Sequence, residues 1–92
     1  MGLQFEWDDK KAKINKQKHG ISFEEATTAF ADELSITIDD PLHSSEEDRF
    51  ILIGKSNLFK TLVVVHVERK ETIRIISARK TTKREQKFYE EY

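Results

Sequence analysis

Residues 58–78, LFKTLVVVHVERKETIRIISA, decide the architecture. Leu58–Glu68 and Thr72–Ala78 are rich in β-branched residues, whose stiff side chains suit a pleated surface better than a helix. Between them, Glu68-Arg69-Lys70-Glu71 leaves room only for a tight turn, so the two strands run antiparallel. Upstream, Arg49–Ile53 (RFILI) has the same character and joins Leu58 through Gly54-Lys55-Ser56-Asn57, a turn sequence. Three strands linked by short turns form a meander. A further strand is read where Leu34, Ile36 and Ile38 alternate with Ser35 and Thr37, and Asp39–Asp48 reads as an acidic loop.

Working outward, the helices announce themselves by their ends. Asp8 or Asp9 caps a helix over 9–19 that Gly20 terminates in a left-handed conformation. Its expected inward stripe, Trp7, Lys11, Ile14, Asn15 and Lys18, is only partly apolar, so it either packs through lysine stems or faces something other than the core. Ser22-Phe23-Glu24-Glu25 is a capping box. Phe23, Ala26, Thr27 and Phe30 follow on one face of a second helix that stops near Ala31 or Asp32. Thr82-Lys83-Arg84-Glu85 is another capping box, opening a last helix with Phe88, Tyr89 and Tyr92 on one side. With a short strand at Phe5 and Trp7, the expected fold is α+β in one domain, residues 1–92. It is a single antiparallel sheet with helices packed against it, in the order β-α-α-β-β-β-β-α.

Composition narrows the classes. The 92 residues include no cysteine, which excludes disulfides and thiolate metal sites and fits a reducing cytoplasm. The opening MGLQFEWDDKK has no apolar core of a signal peptide, and the apolar run Leu62–Val65 is far too short to span a bilayer. A soluble, cytoplasmic protein is expected. The net charge of −1 hides a segregation: residues 1–20 hold five Lys against three acids and residues 69–92 eight Lys/Arg against four, while residues 21–68 hold ten acids and three bases. A local basic patch arises if the two ends meet, although ordinary solvated helix faces also explain such segments. The near-neutral total argues against a protein that coats DNA.

There is no Gly-rich phosphate loop, no HExxH and no GxSxG elbow. His19, His43 and His66 fall on a helix end, an acidic loop and a strand, so neither a metal nor a cofactor is expected. Strand-borne cations carry more information: Arg49, Arg74 and Arg79, with His66, stand among Val, Ile and Leu. With Arg69-Lys70 as the hairpin loop, alternation puts His66, Glu68, Ser77 and Arg79 on one face and Arg74 on the other; a one-residue slip reverses Arg74. A His, a Glu and an Arg on one face have the groups a metal-free ribonuclease needs: a base for the 2′-hydroxyl, a cation for the phosphorane and an acid for the leaving oxygen. The same residues also fit a plain solvent face with cross-strand pairs such as Glu71–Arg74.

Residues 5–26, FEWDDKKAKINKQKHGISFEEA, resemble the opening signature of the BrnT family, F-x-W-D-x-x-K-x-x-x-N-x-x-K-H-G and then x-x-F-x-x-A with a β-branched residue after the glycine. Phe5, Trp7, Asp8, Lys11, Asn15, Lys18, His19, Gly20, Ile21, Phe23 and Ala26 all fall in place. Glu47-Asp48-Arg49-Phe50 with Gly54, Val64-Val65-His66 with Glu68-Arg69, Arg74-Ile75-Ile76-Ser77-Ala78-Arg79, and Glu85 with Tyr89 resemble later family segments. The resemblance implies a RelE-like fold and a type II toxin that cuts RNA and blocks translation. It implies as partners RNA and a BrnA-like antitoxin whose ribbon-helix-helix domain binds DNA, so that DNA is met only indirectly. RelE relatives tend to be more basic than this chain.

Within that frame Arg79 and Arg49 are the first candidates for phosphate or transition-state contacts, and His66 or Glu68 for proton transfer. Lys11, Lys18, His19, Arg74, Lys83 and Arg84 are the candidate RNA-binding cations, though Lys18-His19 equally suit a helix C-terminus. Trp7 fits the core better than base stacking, and Gly20 is structural. The C-terminal segment, with its cations and narrow aromatic stripe, is expected to dock loosely and to offer an acidic antitoxin segment a binding site. The alternative reading is a non-enzymatic module that binds nucleic acid or a partner.

Overall fold

The computed structural model describes residues 3–40 and 48–92. His43 and most of the acidic loop lie outside the described residues. The elements are β1 (Gln4–Glu6), α1 (Asp9–His19), α2 (Phe23–Thr28) with a 3-10 turn (Ala29–Ala31), β2 (Ile36–Asp39), β3 (Arg49–Lys55), β4 (Thr61–Arg69), β5 (Thr72–Lys80) and α3 (Lys83–Glu91). This is the expected order. The five strands form one sheet in the order β1-β5-β4-β3-β2. The sheet is mixed rather than wholly antiparallel, because β1 joins the edge parallel to β5, with Phe5 beside Ile73. Chain order explains this: α1 and α2 carry the chain from β1 across one face to β2 at the far edge, and the meander brings it back.

Local chemistry sets the helix ends as the sequence indicated. Asp8 accepts from the Lys10 and Lys11 amides, and Gly20 closes α1 at φ 73°. Ser22 accepts from the Glu25 amide, but the expected capping box there is only half formed, because the Glu25 carboxylate accepts from the Ser56 hydroxyl instead of the Ser22 amide; the Thr82–Glu85 box is complete in both directions. The inward side of α1 differs from the expected stripe. Ile14 is 60% exposed, whereas Asn15 is buried. Its amide donates to the Ile21 carbonyl (3.0 Å) and the Ala78 carbonyl (2.8 Å) and accepts from the Ala78 amide (3.1 Å). β1 pairs only with Thr72–Arg74, so the free edge of β5 further along needs a partner, and Asn15 supplies one.

The sheet has a covered face and an open one. Leu52, Leu62, Val64, Ile73, Ile75 and Ala78 pack against Ile21, Phe23, Ala26 and Ala29 to form the core. Trp7 joins it edge-on to Phe23, with ring centroids 5.9 Å apart. β3 must approach the 3-10 turn closely there: a Cβ on Gly54 would stand 2.9 Å from the Ala29 carbonyl oxygen. The other face carries a second apolar layer, Ile36, Ile53 and Val63, with α3 alongside.

Candidate functional site

Register decides which candidates meet. The β4–β5 loop is Lys70-Glu71, so Glu68 faces Ile73 and His66 faces Ile75. Between Val65 and His66 the ladder slips: Val65 faces Ser77, leaving Ile76 as an extra residue on β5. One extra residue in a period-two element inverts every later side chain. Ser77 and Arg79 therefore leave the face of His66 and Glu68 and join Arg74 on the other. This corrects the sequence expectation, which assumed an unbroken ladder.

On the covered face, His66 is fully buried. Phe30 meets its ring edge-on at 4.8 Å, and Phe50 stacks on it at 5.9 Å. Nδ1 lies 3.4 Å from the Val64 carbonyl oxygen. Nε2 lies 3.4 Å from Glu68 Oε2, an electrostatic contact without the alignment of a hydrogen bond. Burial pushes the imidazole below its ordinary value, and the two neighbouring acceptors offset this only in part. His66 is thus a neutral ring at the floor of a cleft lined by Phe30, Thr37, Leu52, Glu68, Lys70 and Ile73.

On the open face, register sets Arg49, Val67 and Arg74 side by side across three strands and Arg79 beside Val63. Arg74 pairs with Glu6 at 2.7 Å. Arg79 grips Glu85 with two parallel bonds, Nη1 to Oε1 at 2.8 Å and Nη2 to Oε2 at 2.9 Å, and also donates to the Lys80 carbonyl. That grip holds the Glu85 carboxyl down at about 2 and raises the guanidinium further above its ordinary value. Between the cations lies an apolar floor of Ile38, Ile51, Ile53, Val63 and Val65, bordered by Arg84 and Phe88 of α3.

No residue of α3 is buried, which matches the thin apolar docking expected of it. Polar contacts hold the helix nevertheless. Besides Arg79–Glu85, the Tyr89 hydroxyl donates to Asp32 Oδ2 at 2.5 Å, and Thr81 donates to Gln86. Burial and the Asp32 carboxylate push the Tyr89 phenol up to about 12. Burial also pushes the Asp32 carboxyl up, but bonds from Tyr89 and the Lys55 and Leu34 amides outweigh it and hold it below its ordinary value. The pairing of Arg79 with Glu85 escaped the sequence reading, although an arginine six residues before the N3 glutamate of a capping box was its signal.

The remaining candidates divide as the faces do. Lys83 and Arg84 stand exposed on α3, whereas Lys11, Lys18 and His19 are exposed on α1, in the helix layer of the covered face. Among the described residues no group of three or more His, Cys, Asp or Glu is placed to hold a metal ion, and no helix is long and apolar enough to cross a membrane.

Comparison with known proteins agrees with this fold. The crystal structure of the Brucella abortus ribonuclease toxin BrnT superposes with a TM-score of 0.68 at 20% identity, covering 89% of this chain and all of that one. No curated protein matches in sequence. The family model described as "Ribonuclease toxin, BrnT, of type II toxin-antitoxin system" matches residues 7–85, from the tryptophan ahead of α1 to the glutamate that Arg79 holds. The chain belongs to the BrnT ribonuclease toxin family of type II toxin–antitoxin systems.

Proposed function

We propose that this chain is a metal-independent endoribonuclease that cuts RNA and thereby blocks translation, and that a BrnA-like ribbon-helix-helix antitoxin restrains it. DNA contact then runs only through the antitoxin, and a reducing cytoplasm is the compartment this reading requires. The observation that carries it is the placing of Arg49, Arg74 and Arg79 on one face of the sheet, within the residues the family model matches. Cleavage proceeds by attack of a ribose 2′-oxygen on the adjacent phosphorus. The P–O5′ bond breaks, leaving a 2′,3′-cyclic phosphate and a 5′-hydroxyl. Charge builds on the phosphorane oxygens, and fixed guanidinium groups stabilise it there.

Arg79 uses three of its five N–H groups on Glu85 and Lys80, which leaves two for a phosphate. Arg49 supplies the second transition-state contact, while Arg74, Lys83 and Arg84 meet flanking phosphates. His66 and Glu68 stand on the opposite face, so neither shares a phosphate with Arg79. A non-catalytic RNA-binding or partner-binding module has one observation in its favour: Glu6 and Glu85, the carboxylates that touch Arg74 and Arg79, are both engaged in ion pairs.

Incubation of the pure protein with RNA, with and without EDTA, separates the readings. Cleavage that survives chelation and leaves cyclic phosphate ends is expected; activity lost to EDTA and restored by magnesium refutes the mechanism, and intact RNA favours the binding module. Arg79→Ala should slow cleavage about 100-fold or more, the loss typical of one oxyanion-stabilising donor. Because Arg79 also anchors the capping glutamate of α3, the variant's thermal unfolding must be measured beside its activity. Arg79→Lys keeps the charge but loses the fork and should recover only part of the rate.

A further inference from the structure

The turn between β3 and β4 spends backbone energy to display an aromatic ring. Phe59 has φ 62°, a conformation that bulky L-residues avoid, yet its side chain is 84% exposed. No burial offsets that strain, so the surrounding bonds must impose it. They are numerous: the Phe59 amide donates to the Ser56 carbonyl, and the Leu58 amide to Ser56 Oγ at 3.2 Å. Ser56 Oγ itself donates to the buried Glu25 at 2.7 Å, and the Asn57 amide donates to Thr28 Oγ1 at 2.9 Å. The turn is thereby clamped to α2, and the ring is held out from a rigid base.

We infer that Phe59 is a stacking platform for an unpaired base of RNA. This rests on the ribonuclease reading and names a second contact for its substrate. Two observations favour RNA over a protein partner. Lys55, exposed beside the ring, is placed for a phosphate next to a stacked base, while Lys60 reaches the buried Glu25 carboxylate at 3.8 Å. Register also puts the turn at the end of the sheet where Arg79 lies: Lys55 faces Thr61, Leu62 faces Lys80 and Val63 faces Arg79. A single strand leaving the arginine face at that end reaches the turn without crossing the helix layer. A ring offered at fixed orientation binds any base through its π-face and so adds affinity without sequence preference.

The test measures affinity for a short single-stranded RNA carrying 2′-O-methyl groups, which block attack by the 2′-oxygen, across a range of salt. Phe59→Gly should weaken binding about 10-fold, within the range of lost base stacking. It should leave the slope of log affinity against log salt unchanged, because no charge is removed. The same variant should melt a few degrees higher, since glycine relieves the positive φ. Phe59→Trp should keep the affinity. Arg84→Gln, on the open face, serves as the comparison and should lower both affinity and salt slope. Unchanged RNA affinity in Phe59→Gly while Arg84→Gln loses it overturns the platform alone. If Phe59→Gly instead loses only antitoxin binding, the ring is a protein contact and the inference fails. No measurable RNA affinity in the unaltered protein overturns both this inference and the reading beneath it.

Discussion

On the covered face of the sheet, His66 lies between Phe30 and Phe50 with both ring nitrogens turned toward acceptors. One residue along the same strand, on the open face, Val67 stands between Arg49 and Arg74. The first environment removes water and disfavours charge. The second keeps guanidinium groups charged and sets them over an apolar floor. Two faces of one ladder thus receive opposite electrostatic assignments, and the difference arises from what packs on each. Helices α1 and α2 bring Ile21, Phe23, Ala26 and Ala29 to one side. A single helix with no buried residue borders the other. On the proposed reading this face meets a polyanion, and it stays accessible at the expense of core.

If that contrast is right, substitutions on the two faces should differ most in stability. Phe23→Ala, on the covered face, should cost about 3–5 kcal/mol. For a chain this size that is a large share of total stability, and denaturant titration should find it largely unfolded. Asn15→Ala should cost roughly 2–3 kcal/mol, because it leaves an Ala78 amide and two carbonyls unpaired in a buried place. Val65→Ala on the open face should cost only about 1 kcal/mol, as expected for a partly buried valine side chain. A Val65 variant as damaging as Phe23→Ala would mean that the open face is a second core.

The smallest effect should appear on acid titration, and it divides by face. His66 has a folded value below its unfolded value of about 6.5, so the unfolded chain binds the proton first. Stability should decline as pH falls from there toward the folded value, then level off. Glu85 is held near 2 against an ordinary 4.5, so its contribution is present above pH 4.5 and lost as pH falls toward 2. Asp32, also lowered, shares this second window. Unfolding free energy measured against pH should show two declines. His66→Leu should abolish the upper one and Glu85→Gln should reduce the lower. A single decline unaffected by His66→Leu would show that the ring is not buried in neutral form.

Much of this was legible before any coordinates. Ser22, Thr82 and Asp8 mark helix starts and Gly20 a helix end because capping is settled within a few residues of backbone. The β-branched runs and their short turns fixed the meander for the same local reason, and the family signature lay in the order of residues. Tertiary structure decided the rest. Asn15 looked like one polar position on a weak stripe until the free edge of β5 gave its amide two partners at Ala78 and the connection between α1 and α2 gave a third at Ile21. β1 became parallel because the helices return the chain to the opposite edge. The candidate site divided between two faces because one extra residue, Ile76, inverts the alternation beyond it. Which face a strand residue occupies is a parity; a bulge that reverses it involves a few hydrogen bonds locally, and its position is selected by packing from elements distant in the chain.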